Sequence, residues 1–372
     1  MALSITPEVR ALMRPSAATL EPYDPGFSPV DVNLSANENG FGMPASVREA
    51  VQEALAQVDL SRYPVPLADE LRAELADWHG VTPDQVHVSN GGDEALFNLF
   101  LAFGGEGHTL VSCPPTFSVY RLYAELAEMN VVEVPRNPVD FSIDLDALME
   151  AARTAHLVVI TSPNNHTGDL FPHDQVARLC EACPGIVLMD EAYIEFAPAS
   201  AQSTALIDTY PNLVVLRTLS KAFAFAGGRL GYVMGNPGVL AALAAVRQPY
   251  SVNVLTQAAA LAIVRHRTEF APTIREIVSE RERVRLRLGA MPCAGVTVWP
   301  SESNFLCVRV PNAGEVRTRL RDEHSVLVRD FSKTPGSEDC LRVTIGTPEE
   351  NDRFLAALVA VLEGSGCCTC RA

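Results

Sequence analysis

From Met43 to about Val254, short runs of β-branched and other apolar residues alternate with longer stretches whose apolar positions recur at helical spacing. That alternation predicts crossover units around a mostly parallel sheet. Strands are predicted over 86–88, 109–112, 131–134, 157–161, 186–189, 213–216 and 232–234. Several are apolar at every position, the pattern of strands covered on both faces. Leu67, Leu71, Leu75 and Trp78 make one helical face that stops at Gly80, and Ser46 followed by Glu49 reads as a capping box. Beyond Pro249 the texture changes. A long helical stretch over 256–288, interrupted by Pro272, precedes strands near 297–299, 304–310, 326–328 and 341–345 and a helix over 349–362. The pattern divides the chain into an arm at 1–35, a large α/β domain at 36–254 and a smaller α+β domain at 255–372. The stretch 364–372 reads as a frayed tail.

Composition narrows the function classes. Of 372 residues, 48% are hydrophobic and 20% charged, with mean hydropathy +0.11, so long disordered stretches are excluded. The 29 Lys+Arg against 45 Asp+Glu give a net charge of -16, which repels nucleic-acid phosphates and anionic lipid heads. The densest basic run, 275–287, alternates with Glu276, Glu280 and Glu282 and reads as a solvated helix face. No apolar stretch reaches the roughly 18 residues of a membrane span, and 1–20 holds no apolar leader. Nine cysteines, an odd number without scaffold spacing, suit reduced thiols in a cytoplasmic protein. Cys180, Cys183 and the tail residues Cys367, Cys368 and Cys370 lack histidines at zinc-site spacing and read as plain thiols.

The chemistry gathers just after the predicted strands, where open α/β sheets bind ligands. The strand at 86–88 runs into Ser89-Asn90-Gly91-Gly92-Asp93-Glu94 and then a helix, a backbone able to cradle an anion or to serve as a plain connector. The strand at 157–161 leads into Ser162-Pro163-Asn164-Asn165-His166-Thr167-Gly168, a turn that presents amide side chains. Asp190 ends a strand expected to be central, and a carboxylate there needs a cation or several donors to offset its desolvation. The strand at 213–216 leads into Arg217-Thr218-Leu219-Ser220-Lys221, with Arg229 after a run of small residues. An amine nucleophile, a carboxylate, an anion cradle and an amide together suit a phosphorylated carbonyl cofactor bound through a lysine. A nicotinamide site is rejected. The nearest glycine pattern, Gly105-Glu106-Gly107-His108-Thr109-Leu110, precedes a strand and lacks the third glycine.

These motifs, with Ala36-Asn37-Glu38, Arg62-Tyr63-Pro64, Cys113-Pro114-Pro115-Thr116, Asp190 through Phe196 and Cys340-Leu341-Arg342, occur in the order of a known family. From about Tyr23 to Asn351 the chain resembles the fold-type I pyridoxal-phosphate aminotransferases, and within them the histidinol-phosphate branch. The resemblance implies an α/β fold with a mostly parallel central sheet between helices, a smaller C-terminal domain and an N-terminal arm. It implies pyridoxal 5'-phosphate as cofactor. Lys221 would bind it covalently and move the α-proton, Asp190 would pair with its pyridine nitrogen, and Asn165 and Tyr193 would donate to its phenolate oxygen. Gly92, Asp93, Thr218, Ser220 and Arg229 would hold its phosphate. Phe117 stands where the family has a stacking tyrosine, His166 where it has a proline, and Gly228 where it has a larger apolar residue.

The resemblance further assigns Arg329 and Arg342 to the anionic end of the substrate, with Tyr23 and Asn37 nearby and Tyr63 reaching across from a second subunit of a homodimer. From the residues alone, Arg329 beside Asp330 suits an ordinary ion pair and Tyr23 an anchor for the arm. The implied reaction belongs to histidine biosynthesis: amino-group exchange between glutamate/2-oxoglutarate and histidinol phosphate/imidazole-acetol phosphate. An aromatic amino-acid aminotransferase and a threonine-phosphate decarboxylase are the alternatives.

Overall fold

Continuous apolar runs make the centre of the molecule because a strand covered on both faces has no polar side to show. The structure, a computed structural model, describes residues 5–18, 28–291 and 295–364. Its larger sheet has seven strands: β2 (Val86–Ser89), β3 (Thr109–Ser112), β4 (Asn130–Glu133), β5 (Leu157–Thr161), β6 (Ile186–Asp190), β7 (Leu213–Thr218) and β8 (Gly231–Gly235). Their order is β2-β8-β7-β6-β5-β3-β4, and only β8 runs antiparallel to its neighbours. Because β8 lies antiparallel between β7 and β2, the carboxyl end of β2 emerges on the same side as those of β5, β6 and β7. One sheet edge therefore collects all four loops noted in the sequence.

Side chains alternate cleanly between the two faces. Val158, Ile160, Val187, Met189 and Val215 enter one core, while Leu157, Val159, Leu188, Val214 and Leu216 enter another. The edge strand β4 is short and mostly exposed, and Glu133 on it pairs with Arg121 at 2.9 Å. Such charge discourages pairing with another sheet.

The second sheet has order β1-β11-β12-β10-β9, with β9 Thr297–Val298, β10 Phe305–Arg309, β11 Val326–Asp330 and β12 Cys340–Thr344. Its first member, β1 (Val32–Leu34), falls in the segment expected as an arm. Val32 and Leu34 are buried and pair in parallel with Val326 and Val328, so this stretch is a core strand. The helical stretch after Asn253 breaks near Pro272 as expected, into Val254–Arg265 and Ala271–Gly289. The first of these helices packs on Ala45–Ala56 and Asp69–His79.

Gly80 closes the helix Asp69–His79 with φ +68°, a left-handed cap that glycine adopts without cost. The capping box at Ser46 does not form. The helix begins at Ala45, and the Ser46 hydroxyl donates to Glu269, a residue remote in sequence. Cys180 and Cys183 are buried, and burial pushes the Cys180 thiol up to about 12. Cys367, Cys368 and Cys370 lie outside the described residues. Among the described residues no helix is long and apolar enough to cross a membrane.

Candidate active site

A cavity of about 560 Å³ opens at the carboxyl edge of the larger sheet, walled on its other side by β11 and β12. Its lining includes Asn37, Gly92, Asp93, Phe117, Asn165, Asp190, Tyr193, Thr218, Ser220, Lys221, Arg229, Arg329 and Arg342. Elements distant in sequence thus bring together all but two of the candidate site residues. The exceptions are Tyr63 and Tyr23. Tyr63 is 81% exposed and stacks on Tyr250 with ring centroids 4.6 Å apart, away from the cavity of its own chain. Tyr23 lies outside the described residues.

Lys221 follows β7 by three residues and directs its Nζ to the Ala36 carbonyl at 3.1 Å. Burial, then the nearby Arg342 guanidinium, pushes its amine down to about 8. The only other lysine of the chain is Lys333, which is exposed. With two lysines in the chain, few candidates exist for an amine nucleophile, a signal readable in the sequence.

Asp190 closes β6 in the middle of the sheet. Its Oδ2 accepts from the Tyr120 hydroxyl at 2.6 Å and its Oδ1 from the Ala192 amide at 3.1 Å. Burial pushes the carboxyl up to about 6 despite these bonds. Tyr120 was not singled out from the sequence. Its signal is an aromatic residue one helical turn after Phe117, on which it packs edge-on at 5.6 Å. Thr161, at the end of β5, bonds the same hydroxyl at 2.7 Å.

A clasp of amides and hydroxyls joins the two sheets beside the lysine. Asn37, at φ +55°, donates from Nδ2 to the Tyr193 hydroxyl at 3.0 Å, and its Oδ1 accepts from Thr344 Oγ1 at 3.1 Å. Asn is among the few residues that adopt this backbone region readily. Asn304 Nδ2 donates to the Asn37 carbonyl at 3.0 Å. Arg342 Nη1 donates to Asn165 Oδ1 at 2.7 Å, and its Nη2 to the Ser35 carbonyl. Arg329 and Arg342 face each other across the β11–β12 ladder.

At the opposite end, the Gly91 loop, Ser220 and Arg229 form a polar cradle. Gly91 has φ +82°, and a Cβ placed there would stand 2.4 Å from Arg229 Nη2. Arg229 Nη2 meets Asp93 Oδ2 at 3.0 Å, and Thr218 Oγ1 donates to the Leu230 carbonyl and accepts from the Ser220 amide. Gly231 lets β8 approach this loop, since its Cβ would fall 2.4 Å from the Gly92 nitrogen.

Behind the site, Arg217 is buried against Glu191 at 2.8 Å and Glu195 at 3.6 Å. Sequence reading did not find this triad, whose members are separated along the chain. Glu191 also accepts from the Ser203 amide at 2.6 Å.

Comparison with known proteins agrees with this geometry. The family model for aminotransferase class I and II matches residues 29–358. A histidinol-phosphate aminotransferase of Chlorobaculum tepidum is 37% identical over 93% of this chain and 99% of its own length. One of Thermococcus gammatolerans is 40% identical over 93% and 96% respectively. Among solved structures, the histidinol-phosphate aminotransferase of Sinorhizobium meliloti in complex with pyridoxal-5'-phosphate superposes with TM-score 0.86 at 27% identity, covering 95% of this chain and 98% of that one. The L-threonine-O-3-phosphate decarboxylase of Porphyromonas gingivalis superposes with TM-score 0.77 at 28% identity, over 89% and 99%. Fold, cavity and sequence agree that the chain belongs to the aminotransferase class I and II family.

Proposed function

We propose that the chain is a histidinol-phosphate aminotransferase that uses pyridoxal 5'-phosphate and exchanges an amino group between glutamate/2-oxoglutarate and histidinol phosphate/imidazole-acetol phosphate. The observation that carries this reading is the facing pair Arg329 and Arg342 in the wall of the cavity that holds Asp190 and Lys221. Two substrates alternate in that site, one ending in a phosphate and one in carboxylates. Guanidinium forks bind either anion.

The residues fit the cofactor. Gly91 leaves open the space a side chain would take beside Arg229, so the loop, Ser220, Thr218, Arg229 and the start of the helix Gly92–Phe103 offer an anion cradle for its phosphate. Asp190 has the raised pKa of a buried carboxyl that lacks a cation, and a protonated pyridine nitrogen would draw it back down. The Tyr193 oxygen already accepts from Asn37 and the Asn165 oxygen from Arg342, so both side chains keep protons to donate to the ring oxygen. Phe117 offers a ring face for stacking.

When bound, the cofactor supplies an electron sink for charge left at the substrate α-carbon. Lys221 would hold it covalently between turnovers and, once released, would carry the proton at the α-carbon. An amine pushed down to about 8 has a deprotonated fraction at neutral pH that an ordinary lysine, at ~10.4, lacks. Arg329 and Arg342 hold the substrate's anion, with Asn37 beside them. In a homodimer, Tyr63 would complete the neighbouring subunit's site. Exposed Leu60, Tyr63, Val65 and Leu255 supply the apolar surface for such an interface. The setting is the cytoplasm, with the cysteines reduced.

A substrate panel tests the reading. Glutamate with imidazole-acetol phosphate should give 2-oxoglutarate and histidinol phosphate at the highest kcat/KM. A higher kcat/KM for phenylalanine would favour an aromatic aminotransferase, and carbon dioxide release from threonine phosphate a decarboxylase.

A further inference from the structure

Arg342 sits in a file of rings. Its Cζ lies 5.6 Å from the Phe305 centroid and 5.6 Å from that of Phe331. Phe305 meets Tyr193 edge-on at 5.0 Å. Phe331, which lines the cavity, is backed by the ring of His166, with centroids 3.6 Å apart and planes at 18°. None of the chemistry above uses His166, yet it is wholly buried.

The hydrogen bonds of His166 do not account for its place. Its Nε2 pairs with Ser337 Oγ at 3.0 Å. Nδ1 has no partner. Burial, with Arg342 and Arg136 nearby, holds the ring neutral, its pKa well below the ordinary value. A buried ring nitrogen without a partner is costly, and a smaller amide could make the Ser337 bond alone. What the imidazole alone supplies is a flat face against Phe331.

We infer that His166 is a positioning residue for Arg342: its ring fixes Phe331 beside the guanidinium while the adjacent Asn165 holds Nη1. The pair 165–166 thereby sets the angle at which Arg342 meets a carboxylate or phosphate. The inference rests on the reading of Arg342 as the anion-binding residue, and not on which anionic substrate the enzyme prefers.

Two substitutions separate the ring from the bond. His166→Phe keeps a flat face and loses the Ser337 bond. His166→Asn keeps a partner for Ser337 and loses the ring. Succinate binding to the cofactor-loaded protein, measured by calorimetry, is the readout, together with the glutamate half-reaction. His166→Phe should bind succinate within about twofold of wild type, and His166→Asn roughly tenfold more weakly, the scale of a lost ring–cation arrangement. For glutamate, KM should rise more than kcat falls in the Asn variant. Succinate affinity unchanged in His166→Asn, or weakened equally in both variants, would overturn the inference. If the Asn variant does not fold, His166→Leu takes its place with the same expectation. Wild-type protein that transaminates but does not bind succinate would overturn the Arg342 reading itself, and the inference with it.

Discussion

Replacing Tyr120 with Phe tests how Asp190 is kept ionised inside the protein. The substitution removes one oxygen from a wholly buried site and leaves the packing on Phe117 intact. The lost bond, 2.6 Å to Asp190 Oδ2, joins a hydroxyl to a carboxylate. Hydrogen bonds to charged groups contribute about 1.5–3 kcal/mol. At 1.36 kcal/mol per pKa unit, losing that support raises the Asp190 pKa, about 6 without the cofactor, by roughly one to two units. A carboxyl that resists ionisation is a weaker partner for a ring cation. If the loss is felt in full at the transition state, kcat for the glutamate half-reaction falls roughly ten- to hundredfold. The pH dependence has a definite sign. In the proposed role Asp190 acts as the carboxylate; a ring cation lowers its pKa in the loaded protein, losing the Tyr120 bond raises it relative to wild type, and the deficit of the variant should therefore widen as pH falls. In an Asp190→Asn background the same substitution should change kcat less than about twofold, because the two residues act as a pair. Stopped-flow absorbance of the half-reaction reads all four proteins. Equal kcat in Tyr120→Phe and wild type across pH 6–8, or the same loss in both backgrounds, would refute the reasoning.

Two further predictions concern the frame of the site. Gly91→Ala forces a side chain onto φ +82° and toward Arg229, a backbone region costing on the order of 1–3 kcal/mol for a non-glycine residue. The variant should bind pyridoxal 5'-phosphate at least about tenfold more weakly by fluorescence titration, and unchanged affinity would show that the loop does not form the phosphate cradle. Arg217→Met leaves Glu191 and Glu195 buried without their cation, a loss of about 3–5 kcal/mol. Urea unfolding should move to clearly lower denaturant, and an unmoved midpoint would mean that the triad contributes no stability.

Much of this was legible in the sequence for a physical reason. The central strands are apolar at consecutive positions, so the seven strands from Val86 to Gly235 could be placed without tertiary information, and the ligand rule for open sheets then pointed to the loops after them. What could not be read depends on encounters between distant segments. Ser46 has the neighbours of a capping residue, but Glu269 takes its hydroxyl. Val32–Leu34 is too short a run to announce a strand, and it becomes one because β11 offers it a partner. Tyr120 matters through Asp190, 70 positions away, and Arg217 through carboxylates on the segment after β6. The lone buried-site lysine was legible, since only Lys333 competes with it.

That scarcity also makes the central claim easy to test. Protein loaded with pyridoxal 5'-phosphate, reduced with borohydride and digested, should carry the phosphopyridoxyl group on the peptide containing Lys221. An unmodified digest, or modification confined to Lys333, would contradict the account.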